Sequence, residues 1–467
     1  MKRTNSHWPL TCLSALSSLL NLGLPIFMAR LLPAADIGIF RIFFLYLMAI
    51  PALSCSVGMI NGLFYWGGKE EAGMQSIREA GFLLSLLSGV VFLLLAIFSF
   101  LHGSIFDLGP KEAILFAFAA APTILNSFYE SATIAKGRIV WGAIFSAVFE
   151  FIRAAAMLAA VLYTRQIGPV IVAHIVVLSC KVILGQLLAV KDKYLGLTLR
   201  RSQAKEVFRY ASPVSLAAIF DLVVNYSDRF ILSAFLDPAS FAFYMMGCLA
   251  VPPLQVFEQS VNKVLIPHMA EEIARGKSPY VAFLFKKSMR ELMMIYIPAV
   301  VGMLIFSDAI VTLLFTKKYL AAALFLRIYA FSYLLLGIPY DAYFRAKGDS
   351  SWIFRNAVSF SVLSLCAVSL LAWRFGAVGA LVGALLVQGM MRLRAIFLLK
   401  ERLLSTFSEL IPWKALTEFL LVSLSMGAIS LLVKTYFITE RNWFFICGFI
   451  YSLIYGVLML RRWRFHV

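Results

Sequence analysis

The chain has 467 residues, 61% of them hydrophobic and only 14% charged, with a formal net charge of +18. So few polar residues cannot cover a soluble core of that apolar content, and apolar runs of the ~20 residues that cross a bilayer as helix recur from end to end. A soluble globular protein is excluded. The sequence also lacks a GxxxxGK[ST] nucleotide loop, metal-ligand spacing among its Cys and His residues, and a nucleophile with its base, so no cofactor is implied.

Lys2 and Arg3 precede a first apolar run that continues through TCLSALSSLLNLGLPIFMA without a small-x-small cleavage site before Arg30, which reads as an uncleaved first span. Fourteen transmembrane helices are predicted in an all-α polytopic membrane protein: 8–29, 36–60, 79–101, 112–134, 139–163, 167–190, 207–235, 240–262, 288–308, 320–344, 352–373, 376–398, 412–433 and 443–460. Prolines within them (Pro25, Pro51, Pro122, Pro213, Pro252, Pro298, Pro339) supply places to bend. The six scattered cysteines read as small core residues.

Loop charge tests this count, because short cytoplasmic loops are enriched in Lys and Arg. With the amino terminus inside, the inner segments hold 29 of the 42 cations and the outer loops 8. Both termini are therefore expected in the cytoplasm. The basic excess faces anionic membrane lipid, and no nucleic acid is needed to explain it. Five cations remain within spans: Arg41, Arg153, Lys181, Arg229 and Arg327.

The chain repeats itself. AKGRIVW (135–141) follows the fourth span and AKGDSSW (346–352) the tenth, 211 residues later. At that offset Glu130 meets Asp341, Tyr129 meets Tyr340, Gly168 meets Gly379 and Lys181 meets Arg392. At an offset of 204, NLGLPIFMARLLPAADIGIF aligns with NYSDRFILSAFLDPASFAFY. Six helices followed by a related six imply two parallel pseudo-symmetric bundles, with a site at their interface. The expected organisation is a first bundle at 1–190, a cytoplasmic linker at 191–206, a second bundle at 207–398, and two additional helices within 399–467.

ARLLPAADIGIF at the first turn, SDRFILSAFL in the seventh span and FGAVGALVGALLV (375–387) are similar to the polysaccharide exporter branch of the multidrug/oligosaccharidyl-lipid/polysaccharide (MOP) superfamily, which includes the O-antigen flippases. The resemblance runs over essentially the whole chain. It implies two six-helix bundles around a central cavity lined by helices 1, 2, 7 and 8, and a bacterial cytoplasmic-membrane location. The implied function is alternating-access translocation of an undecaprenyl-pyrophosphate-linked oligosaccharide, with H+ or Na+ as coupling ion and polysaccharide polymerase machinery as partner.

Candidate site residues follow from position. Asp221, Asn225 and Asp228 are spaced i, i+4, i+7 and Arg229 sits at i+8, which puts all four on one face of the seventh helix. Adjacent Asp228 and Arg229 project about 100° apart, so each needs a partner elsewhere. Arg30, Arg41 and Arg327 lie at outer ends of spans, and Arg153 and Lys181 lie deeper. A cationic cleft suits pyrophosphate. Two other roles stay open: Arg30, Arg41 and Arg327 are near enough to the interface to snorkel, and Arg229 could lock a neighbouring acid. Asp221, Glu130, Glu150 and Asp341 either carry a coupling ion or pair with these cations. A drug/cation antiporter of the same superfamily is disfavoured by the in-span cations. A membrane polysaccharide polymerase or glycosyltransferase is disfavoured by the short outer loops.

Overall fold

The computed structural model describes residues 20, 23–67, 71–102, 109–196, 201–434, 447–451, 453, 455 and 456. All regular structure among them is helix, because a backbone in hydrocarbon finds no water and must bond within its own segment. Helical residues 20 and 23–31 are the described part of α1. There follow α2 (Ala34–Leu53), α3 (Ser56–Gly67), α4 (Glu71–His102), α5 (Pro110–Leu125), α6 (Phe128–Ala135), α7 (Ile139–Thr164), α8 (Ile167–Lys191) and α9 (Arg201–Phe235). The chain continues through α10 (Pro238–Gly247), α11 (Pro252–Ala274), α12 (Ser278–Phe315), α13 (Ala322–Leu336), α14 (Ala342–Lys347), α15 (Ser350–Leu403), α16 (Phe407–Leu410) and α17 (Trp413–Lys434). The protein is an all-helical multi-pass membrane protein. Among the described residues, nine helices are long and apolar enough to cross a membrane, or ten if the bent α10–α11 pair counts as one span.

The fourteen expected spans map onto these helices, although the first and last lie partly outside the described residues. The eleventh and twelfth are the two arms of α15. Gly376 sits within it at φ 60°, ψ −146°, a backbone state open to glycine, and the chain doubles back there. A Cβ on Gly379 would lie only 2.0 Å from the Leu371 carbonyl oxygen, so the FGAVGALVG stretch is what lets the arms meet.

Four expected spans are broken helices: the second (α2, α3), the fourth (α5, α6), the eighth (α10, α11, bent by 51°) and the tenth (α13, α14). Pro51, Pro122, Pro252 and Pro339 sit at or within a turn of these breaks, where a missing N–H and a ring clash end the ladder. The opened backbone groups are met from neighbouring helices. Gly58 N donates to Ser215 Oγ at 2.9 Å and Val251 N to Tyr333 Oη at 2.8 Å, while Tyr296 Oη ties α12 to the first turn of α11 through the Leu254 carbonyl at 2.9 Å. Pro298 leaves α12 unbroken. The Met294 carbonyl, which loses its donor to that proline, accepts from Tyr455 Oη at 2.8 Å, and the Pro298 carbonyl accepts from Tyr451 Oη at 3.1 Å.

Contacts divide the chain into two compact units, Met1–Ala242 and Phe243–Val467. In the first, α9 packs on α2, α3 and α4, around a core that includes Leu63, Trp66, Phe128 and Tyr129. In the second, α12 packs on α11, α13 and α17, and the core gathers Phe285, Tyr343, Phe344, Trp352 and Leu399. Cys248 and Cys447 are buried, whereas Cys180 and Cys366 are exposed on helix flanks rather than in the core.

The internal repeat is visible in the backbone. Gly137 (φ 85°) and Gly348 (φ 73°) are both left-handed and end α6 and α14 in the same way. Arg138 N donates to the Thr133 carbonyl at 3.0 Å, and Asp349 N to the Phe344 carbonyl at 2.9 Å, the six-to-one bond of a Schellman cap. Arg165 (φ 51°), between α7 and α8, stands at the same 211-residue offset from Gly376.

Candidate substrate and coupling site

Four of the twelve expected site residues come together inside the first unit. Glu130 lies in the first turn of α6, just past the break in the fourth span. Glu150 and Arg153 share a face of α7 three residues apart, and Arg153 Nε donates to Glu150 Oε2 at 3.2 Å. Lys181 of α8, 4% exposed, has its Nζ 3.8 Å from Glu130 Oε2 and lies within electrostatic reach of Glu150 and Arg153. A buried pair at that separation recovers little of its desolvation cost, so the ammonium is held loosely for so buried a charge.

The histidines show no metal-ligand spacing in the sequence, yet His174 belongs to this group. It is buried one heptad before Lys181 on the same helix, edge-on to Phe44 of α2 with centroids 4.6 Å apart, and within electrostatic reach of Arg153. Neither ring nitrogen has a hydrogen-bond partner among the described residues. The i, i+7 spacing from a lysine already singled out was the available signal.

The polar face of α9 divides. Asn225 Nδ2 donates to the Asp221 carboxylate at 3.0 Å and to its carbonyl at 2.9 Å, and both residues are exposed. Asp228 is buried, and the half-buried Arg229 lays its guanidinium over Tyr226, 4.7 Å from the ring centroid. Four residues past Arg229, Ser233 Oγ meets Tyr46 Oη of α2 at 3.0 Å, so α9 is tied to α2 near this arginine. Arg41, also on α2, is half-buried, and Arg30 at the end of α1 is exposed.

In the second unit the expected residues are engaged locally. Arg327 Nε donates to Ser307 Oγ at 2.6 Å and its terminal nitrogen to Asp308 at 2.8 Å, bracing α13 on α12. Asp341 accepts from Arg345 Nε at 2.6 Å. The buried Arg392, at Lys181's position in the repeat, donates to the carbonyls of Leu335 at 2.7 Å and Gln388 at 3.1 Å and lies over Tyr340.

The fold carried by these residues is that of MOP-superfamily transporters. It overlays a lipid II flippase, MurJ, in an inward closed conformation at TM-score 0.80, with 15% identity, covering 97% of this chain and 98% of that one. An inward-facing multidrug resistance MATE transporter overlays at 0.63 with 14% identity, covering 83% and 94%. A MOP transporter from Pyrococcus furiosus, described as having a binding pocket of reversed polarity, overlays at 0.57 with 14% identity, covering 85% and 94%. No curated protein matches by sequence. The family model for polysaccharide biosynthesis proteins matches residues 27–324, more than half of the chain, and the chain belongs to that family.

Proposed function

We propose that this protein is a flippase that moves an undecaprenyl-pyrophosphate-linked oligosaccharide, an O-antigen or exopolysaccharide repeat unit, across the bacterial cytoplasmic membrane by alternating access. One observation carries the reading. An overlay that takes in nearly the whole chain is with a protein named a lipid II flippase, and the family is one of polysaccharide biosynthesis. Cations within the spans support it, since an anionic head group offsets their burial whereas an organic cation is repelled.

In this reading Arg30, Arg41 and Arg229 contact the pyrophosphate, with Asp228 or Asp221 restraining Arg229 when substrate is absent. Lys181 and Arg153 form a deeper cationic station, and Glu130 and Glu150 either hold them or take up the coupling H+ or Na+. Asp341 is the second half's counterpart of Glu130, and Arg327 braces its helix. Both termini face the cytoplasm.

The test is a deletion strain in which undecaprenyl-linked glycans are quantified and their sidedness probed in spheroplasts. Complete repeat units, shielded from an external glycosidase, should accumulate. Single units exposed outside would point to a polymerase, and no accumulation would sink the proposal. In the complemented strain, Arg229→Ala should abolish export with protein level unchanged, and Arg229→Lys should restore it only in part for want of a planar fork.

A further inference from the structure

Between the two arms of α15, at the end that loop charge assigns to the cytoplasm, lies a cavity of ≈ 410 Å³. Trp352, Phe354, Arg355 and Ser359 of the first arm and Arg394 and Leu398 of the second line it, and no acidic residue does. Neither arginine is in an ion pair among the described residues. Arg355 spends its Nε on the Ser351 carbonyl at 3.3 Å, and Arg394 lies over Phe360 at 5.8 Å, which leaves both forks with donors to give.

Trp352 closes the inner wall of the cavity: it is 5% exposed and stacks on Phe344 with ring centroids 3.4 Å apart, and its indole nitrogen lies out of reach of a group in the cavity.

The flanks of the same arms expose Phe354, Leu393 and Phe397. A ligand reaching these donors therefore meets an apolar surface beside an oxygen-seeking pocket. We infer that this cavity holds the phosphate of an anionic glycerophospholipid, gripped by Arg355 and Arg394, with the acyl chains along the exposed flank. Two guanidinium forks match phosphate oxygens, and a basic pocket between helices at the membrane surface is where lipid head groups bind. The inference is independent of which sugar is transported.

The test uses full-length protein, delipidated in detergent and titrated with dioleoyl-phosphatidylglycerol, with phosphatidylcholine of the same chains, and with inorganic phosphate as competitor, read by native mass spectrometry. Phosphatidylglycerol should be retained in preference to phosphatidylcholine. Arg355→Gln or Arg394→Gln alone should weaken its retention about fivefold each, and the double variant by the product. Elution and melting as for the unaltered protein establish that a variant is folded. A folded double variant that retains the lipid as before overturns the inference. If the double variant does not fold, unchanged retention by the folded single variants Arg355→Gln and Arg394→Gln overturns it. Displacement by millimolar phosphate, with the two lipids held equally, overturns the lipid source and makes the site one for free phosphate.

Discussion

At the turn after the fourth span of each half, the two units share a backbone and oppose each other in charge. Gly137 and Gly348 take the same left-handed cap, yet Arg138 reaches Asp192 at 3.1 Å in the first unit while Asp349 pairs with Arg402 at 3.8 Å in the second. Coulomb attraction is indifferent to which side carries which sign, so a clasp of this kind can invert without moving the chain. A left-handed cap has no such freedom, because a side chain there is strained.

The interior tells the opposite story. Lys181 and Arg392 occupy one place in the repeat, but Lys181 faces a carboxylate at the limit of ion-pair distance whereas Arg392 is tied by two backbone carbonyls. A guanidinium bound to carbonyls is a fixture of its unit. An ammonium held by a neighbouring carboxylate can exchange that partner for a ligand. The halves kept their frame, and the first kept its charge available.

The sharpest way to break this comparison is at the α15 hairpin. Gly379→Leu places a side chain against the Leu371 carbonyl and should cost more than ~4 kcal/mol, leaving no monodisperse protein on size exclusion. At the matching Gly168 nothing lies within 4 Å of a Cβ, and Gly168→Ala should melt within ~1 kcal/mol of the unaltered protein. Equal tolerance at the two sites would remove the asymmetry between the hairpins.

Next in size is the buried cation. Arg392→Met should cost ~3 kcal/mol, chiefly from the two carbonyls it leaves bare, and removing Asp341 or Glu258, the carboxylates within its electrostatic reach, should relieve little of that. Lys181→Met should cost ~1 kcal/mol in the same thermal melt, and Glu130→Gln should restore it. If a second-site acid change rescues Arg392→Met instead, the fixture and the exchangeable charge have been assigned to the wrong halves.

The broken spans give a middle-sized test. Ser215→Ala in the first unit and Tyr333→Phe in the second each strip the acceptor from an amide opened at a helix break, Gly58 and Val251. Each should lose ~1–2 kcal/mol in the melt. The smallest effect belongs to the clasps. Arg138→Ala and Arg402→Ala are exposed pairs and should lower the midpoint by at most about 2 °C. A large loss at either would mean the clasp does more than close a solvated corner.

Much of this frame is legible in the sequence. Apolar runs mark the spans, AKG recurs where the left-handed caps fall, and Pro51, Pro122, Pro252 and Pro339 stand at the breaks. What cannot be read is which partner answers an opened group. Nothing near Pro298 announces that Tyr455 will bond Met294, because that contact spans 161 residues. The same limit applies to charge. Arg327 reads as equally fit to snorkel or to face a phosphate until Ser307 and Asp308 are seen beside it. His174 was legible only as a neighbour of Lys181 by helical spacing, and the α9 stripe divides because burial depends on what packs against α9, not on its own periodicity.

The two tyrosine hydroxyls on α12 also set an order of events. A polypeptide emerges from its amino end, so α12 enters the membrane with the Met294 carbonyl open, and the hydroxyl that closes it is synthesised 161 residues later. Hydrocarbon offers no substitute acceptor or donor in the meantime. The second unit therefore cannot reach its final hydrogen-bonding state before Tyr451 and Tyr455 arrive, and a ribosome that stopped short of them would leave a membrane helix marked as unfinished.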